Sequence, residues 1–116
     1  MSKKTGLLLE SDGGGVNQIL PHKHKFAWDL FQKGVANNWS PSEINMGDDI
    51  EQWNDGSLSD DEKLLVKRSL GFFAGSESLV GNNLLISGFR YITDAECRQY
   101  ILRQAFEESL HNLTIV

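Results

Sequence analysis

Apolar residues recur at helical spacing through most of the chain, and no stretch alternates with period two for long enough to claim a strand. In "KFAWDLFQKGVAN", Phe26, Leu30 and the Phe31/Gly34 step fall on one side of a helix predicted over residues 25–37. "WSPSEINMGDD" opens a short helix over 41–46, with Ser40 as cap, Pro41 in the first turn and Glu43 closing a capping box. Two long helices follow, over about 59–90 and 93–116. Ser59 with Glu62 starts the first, and Thr93 with Glu96 starts the second in the same way. The turn "RYI" between them is short, which makes them antiparallel neighbours.

Along the first long helix the apolar stripe runs through Leu65, Leu70, Phe73, Val80 and Leu84 and reads as core. Gly71, Gly75, Gly81 and Gly88 interrupt it, each weakening a helix by about 1 kcal/mol relative to Ala. Glycines there imply that another helix packs very close, or that the helix distorts locally. Residues 1–22, with "SDGGGVNQILP", form an irregular N-terminal segment ahead of the helical part at 23–116. The expected fold class is all-α.

Composition narrows the function classes. With 116 residues the chain is one domain or less, able to hold a modest core. A net charge of −5 argues against nucleic acid and anionic membranes as partners, because both reward a basic face. The single Cys97 rules out an internal disulfide and fits a reducing compartment. No apolar run is long enough to cross a bilayer and no signal-peptide core follows Met1, so the expected location is cytoplasmic.

The candidate chemistry sits near the end of the chain. Glu108 and His111, at i and i+3 in "FEESLH", share a helix face, and one first-row metal ion can accept both. Alone the pair is a weak signal, since a solvated Glu beside a surface His gives the same motif. Glu77 adds weight, because it lies among apolar residues in the middle of the preceding helix. A carboxylate in such a stripe is costly unless it is paired with a cation or bound to metal. Ferritin-like dimetal carboxylate bundles take one Glu from each of two helices and Glu-x-x-His from each of the other two. Glu77, Glu108 and His111 make half of that set, in the right order.

"FFAGSESLVGNNLL" followed by "ECRQYILRQAFEESLH" resembles the small, radical-generating subunit of class I ribonucleotide reductase, from about Phe26 to the end. The resemblance implies a ferritin-like bundle and two metal ions, Fe/Fe or Mn/Fe, that react with O₂ and supply an oxidising equivalent to a large catalytic subunit. It implies that Glu77, Glu108 and His111 are metal ligands, and that Trp39, in "NNWSPSEINM", begins the electron path to the metals. His22 and His24, in "PHKHK", match nothing in the family motif and read as surface histidines.

Two departures from the family matter. Its radical tyrosine lies four residues after the motif histidine, where this chain has Ile115, which cannot form a phenoxyl radical. That, with Glu rather than Asp at position 77, resembles the tyrosine-less Mn/Fe subgroup; a related ligand-binding oxidase is the alternative. The second departure is length. The second carboxylate, the second Glu-x-x-His, an Asp beside His111 and the C-terminal docking tail are all absent, and the resemblance breaks off mid-helix at Val116. The expected partners are therefore a chain carrying the C-terminal half, the large subunit, and a second small subunit in a dimer. Two copies of this chain would also supply four carboxylates and two imidazoles, which leaves open a homodimeric oxidase or iron-binding bundle. A helical interaction protein with an accidental motif is the third class.

Overall fold

The computed structural model describes residues 16–115, and the N-terminal glycine run and Val116 lie outside them. Helices are the regular structure throughout, and no strand occurs among the described residues. Residues 16–24 are not helical. Helix α1 spans Lys25–Ala36, close to its expected bounds.

The Ser40/Glu43 capping box forms as expected: the Ser40 N–H donates to Glu43 at 2.8 Å. The turn it caps is shorter than expected, a single 3₁₀ turn at Pro41–Glu43. A separate helix, α2, then runs Gly47–Asn54, where the sequence had predicted the end of one short helix at 46. Asp48 and Asp49 fill its first turn and suit the positive end of the helix dipole. Gly56 follows α2 with φ of 85°, a left-handed conformation that favours glycine.

Helix α3 spans Asp60–Asn83, and its Ser59/Glu62 capping box is present. It does not continue smoothly to residue 90. A π-helical turn at Leu84–Gly88 widens it, and one last turn, α4, covers Phe89–Tyr91. The glycine-rich sequence thus yields both a distortion and close packing, in different places. Cβ atoms added at Gly81 and Gly88 would meet helix α5, which spans Ala95–Ile115, at 3.6 Å; at Gly71 and Gly75 they would meet nothing within 4 Å.

The start of α5 differs from expectation. Asp94 caps it, its Oδ1 accepting the Cys97 N–H at 2.8 Å, so the cap lies one residue after Thr93. Glu96 does not close a box. It turns to the segment before α1, accepting the N–H of Lys23 at 3.0 Å, the N–H of His24 at 2.5 Å and the His22 ring at 2.7 Å. His24 lies 3.5 Å from Asp94. His22 and His24 are therefore not idle surface histidines. Asp94 and Glu96 are each 2% exposed, and carboxylates so deeply buried need these partners.

Helices α3 and α5 run antiparallel: Asn112 Nδ2 donates to the Ala74 carbonyl at 2.8 Å, Gly81 faces Glu108, and Gly88 faces Ile101. Helix α1 packs on α5 from another side. The buried apolar residues among those described are Ala27, Ile101 and Ala105. The expected core stripe of α3 is largely open instead, with Leu65, Leu70, Phe73 and Val80 exposed. The reason is geometric: among the described residues α5 is the one helix packed extensively along α3, and a single neighbour leaves much of its apolar surface open. Leu65, Phe72, Leu79 and Ile86, seven residues apart, stand 67%, 70%, 67% and 73% exposed.

Candidate metal centre

The antiparallel pairing brings Glu77 of α3 opposite Glu108 and His111 of α5. His111 Nδ1 lies 3.6 Å from Glu77 Oε2 and 3.6 Å from Glu108 Oε2. Neither distance is a hydrogen bond, and both leave room for an ion between the atoms. One ligand atom from each of the three residues falls within 4.8 Å of the others. First-row metals bind such nitrogen and oxygen donors at about 2.0–2.2 Å, so one ion fits with small side-chain adjustments. A cleft of about 220 Å³ opens beside them, lined in part by Glu77, Gly81, Glu108 and Asn112.

The electrostatics are those of a site short of positive charge. A hydrogen bond with Glu77, burial, and the Glu77 charge together hold the Glu108 carboxyl above its ordinary range, and His111 offsets only part of this. Two carboxylates and an imidazole held this close in the folded chain are the donor set that a divalent cation would neutralise.

Trp39, just ahead of the 3₁₀ turn, lies on the same side of α5. Its ring stacks on the His111 imidazole with centroids 5.9 Å apart and planes 24° from parallel. Its Nε1 donates to Glu107 Oε2 at 3.0 Å. Ile115 is partly buried on α5, one turn beyond His111.

The sequence reading missed several residues around this cluster. Asn112 spans from α5 to Ala74 and also donates to Ser78 Oγ at 3.1 Å, which fixes the register of Glu77. Arg103 pairs with Glu107, and its Nη1 donates to Asn38 Oδ1 at 2.9 Å. Only the four-residue spacing of Arg103, Glu107 and His111 along one helix could have pointed to this arrangement. Cys97 takes no part: burial and the neighbouring Asp94 push its thiol up to about 12.

The chain is similar to known proteins along nearly its whole described length. A family model described as ribonucleotide reductase, small chain, matches residues 16–114. The ribonucleoside-diphosphate reductase subunit beta of Chlamydia pneumoniae is 50% identical over 101 residues, 87% of this chain and 29% of that protein. The small chain of Swinepox virus is 31% identical over 107 residues, 92% of this chain and 36% of the relative. That of Neurospora crassa is 34% identical over 98 residues, 83% and 23% respectively. The chain thus spans about a third or less of these relatives. With nearly every described residue inside the family match, including the α3–α5 pair and Trp39, this chain belongs to the ribonucleotide reductase small-chain family.

Proposed function

We propose that the chain works as part of a ribonucleoside-diphosphate reductase small subunit and supplies half of the ligands of its dimetal centre. The observation that carries this is the meeting of Glu77, Glu108 and His111, from two antiparallel helices, with ligand atoms within 4.8 Å. Glu77 and His111 would each hold a metal ion, and Glu108 would hold the same ion or reach between two. The pair is Fe/Fe or Mn/Fe, and when bound it supplies an oxidising equivalent through reaction with O₂.

The chain's own residues prepare that site in three ways. Asn112 fixes the register between the helices, so that Glu77 faces His111. The Glu108 carboxyl, held above its ordinary range, keeps its proton to higher pH than a free carboxyl, so proton and metal compete for it and metal affinity falls in acid. Trp39, its ring stacked on His111, is where an electron would enter. Ile115 stands where the family's tyrosine would, so no radical forms at that position.

The second half of the ligands comes from the remainder of the small subunit, and the assembled subunit works as a dimer beside the large catalytic subunit. The exposed stripe of Leu65, Phe72 and Leu79 on α3, continued by Ile86 in the π turn, supports this reading, because a bundle helix with that much uncovered apolar surface calls for further helices. The test is made on purified chain loaded anaerobically with Fe(II) and Mn(II) and then exposed to air, with mass and metal content measured together. We expect little retained metal from the chain alone, and about two ions per small subunit once the remaining part is co-expressed. A stable dimer of the chain alone, holding about one ion per chain, would instead establish a self-completing homodimer.

A further inference from the structure

We propose that the Asp55–Gly56 bond, in the turn between α2 and α3, is a modification site at which aspartate is converted to isoaspartate in the folded chain. This chemistry needs only water, and it stands apart from the metal site and from the function proposed above.

An aspartate followed by a residue without a side chain can close on its own backbone. The Gly56 amide nitrogen attacks Cγ of the protonated Asp55 carboxyl. A bond forms from that nitrogen to Cγ, the amide proton and the carboxyl hydroxyl leave as water, and a five-membered cyclic imide results. Water then opens the imide on one side of the nitrogen or the other. Opening at Cγ restores aspartate. Opening at the former main-chain carbonyl leaves the chain running through Cβ and Cγ, with a free carboxylate on Cα. One water leaves and one returns, and nothing is oxidised or reduced.

The fold sets Asp55 apart from the other described aspartates. It caps the C-terminal end of α2, and Gly56 follows with φ of 85°, the left-handed conformation that ends many helices. Glycine is needed there for its conformation, and the same missing side chain leaves the nitrogen unshielded: a Cβ at Gly56 would meet nothing within 4 Å. Both residues are exposed and lie outside any helix, so the backbone there has room to turn. Asp29, Asp48, Asp49, Asp60 and Asp61 lie inside helices, where the backbone is fixed, and each precedes a residue with a side chain. Asp94 is 2% exposed and gives its Oδ1 to the Cys97 N–H.

Ser57 decides how the Asp55 side chain lies. Asp55 Oδ1 accepts the Ser57 N–H at 2.7 Å, which folds the side chain back along the peptide that carries the attacking nitrogen. Hydrogen bonding to Ser57, its side chain first and then its N–H, also holds the Asp55 carboxyl below its ordinary range. Attack needs the protonated acid, so these contacts slow the reaction without moving it elsewhere. The product lengthens the α2–α3 connection by one backbone atom just ahead of the Ser59 cap. It also takes away the side-chain oxygen to which Ser57 donates.

The test incubates the full chain in slightly acid buffer, one sample folded and one in urea. Peptide mapping with electron-transfer fragmentation reads isoaspartate at each position, and far-UV circular dichroism follows the helices. Asp12–Gly13, the other Asp–Gly bond of the chain, falls on a different tryptic peptide and is read separately. The urea sample is the clock, and incubation ends when it carries isoaspartate at Asp55. We expect the folded chain to carry at least a tenth of that level at Asp55 and none at the other described aspartates. Asp55→Glu, which would have to close a larger ring, is expected to lose the product with its helices unchanged. The proposal is overturned if Asp55 in the folded chain stays below that level, or if the signal assigned to it persists in Asp55→Glu.

Discussion

Gly81 faces Glu108 so closely that a Cβ on the glycine would stand 3.6 Å from the Glu108 Cβ. The two helices therefore meet at van der Waals distance one turn from Glu77, and that approach carries the Glu77 carboxylate to His111. At 3.6 Å a methyl group fits. Gly81→Ala is expected to stabilise the chain by about 0.5–1 kcal/mol through helix propensity. Gly81→Leu, which cannot fit, is expected to cost about 1–3 kcal/mol and to lower metal retention by moving α3 off α5. Gly34→Ala is the counter-case: with Arg103 Cγ at 2.9 Å, its propensity gain is lost to displacement of the arginine. Gly71→Ala and Gly75→Ala meet nothing within 4 Å and should gain about as much as Gly81→Ala. Urea unfolding followed by far-UV circular dichroism ranks the four positions.

His111→Ala is expected to abolish tight metal binding in the completed small subunit while leaving the helices formed. Two firmly bound ions in that variant would remove His111 from the site. Glu108→Gln separates binding from stability. Because the Glu108 carboxyl is held above its ordinary range, the metal-free fold favours its protonated form and loses stability as pH rises through the carboxylate range. Glutamine has no charge to repel Glu77. The variant should unfold at higher denaturant than the unaltered metal-free chain at neutral pH, and the two should converge in acid, while metal binding weakens.

Much of this was legible in the sequence because it is local. The Ser40/Glu43 and Ser59/Glu62 boxes depend on contacts three residues apart, and both formed. The helical class and the antiparallel α3–α5 pair followed from period and loop length. What failed depends on distant residues. Thr93 and Glu96 have the spacing of a capping box, but the neighbouring Asp94 supplies the cap, and Glu96 is drawn to a segment more than seventy positions earlier in the chain. The α3 stripe has the period of a core helix, yet period says only that a face is apolar, not that this chain contains what covers it. Type and spacing singled out Glu77, Glu108 and His111 as one candidate cluster, and their side chains do meet; Glu107 and Arg103 were not singled out, because their partners Asn38 and Trp39 lie on another element.

Cys97 should be inert in the folded chain. A thiol raised from 9.0 to about 12 holds roughly a thousandfold less thiolate at neutral pH, and thiolate is the reactive form. Alkylation by iodoacetamide is expected to be slow in buffer and to rise with urea in parallel with the loss of helix. Fast labelling in buffer, with the helices intact, would show that the start of α5 opens locally.

Glu96 gives the fold an acid-sensitive joint between the segment before α1 and the start of α5. Burial works to raise its carboxyl, but the His24 N–H, the His22 ring and the Lys23 N–H outweigh it and hold the group below its ordinary 4.5. A carboxylate held low in the folded state stabilises above its unfolded pKa, and that contribution is lost as pH falls through the folded value. Glu96→Gln keeps the shape and removes the charge. It should cost about 1–3 kcal/mol near neutral pH, the range for hydrogen bonds to a charged group. The gap from the unaltered chain should then close as pH drops below the carboxylate range, where that chain also carries a neutral side chain at this position. Unfolding curves over a pH series test this directly. A constant gap at every pH would mean that Glu96 acts through shape alone, and that its charge does not hold the His22–His24 segment in place.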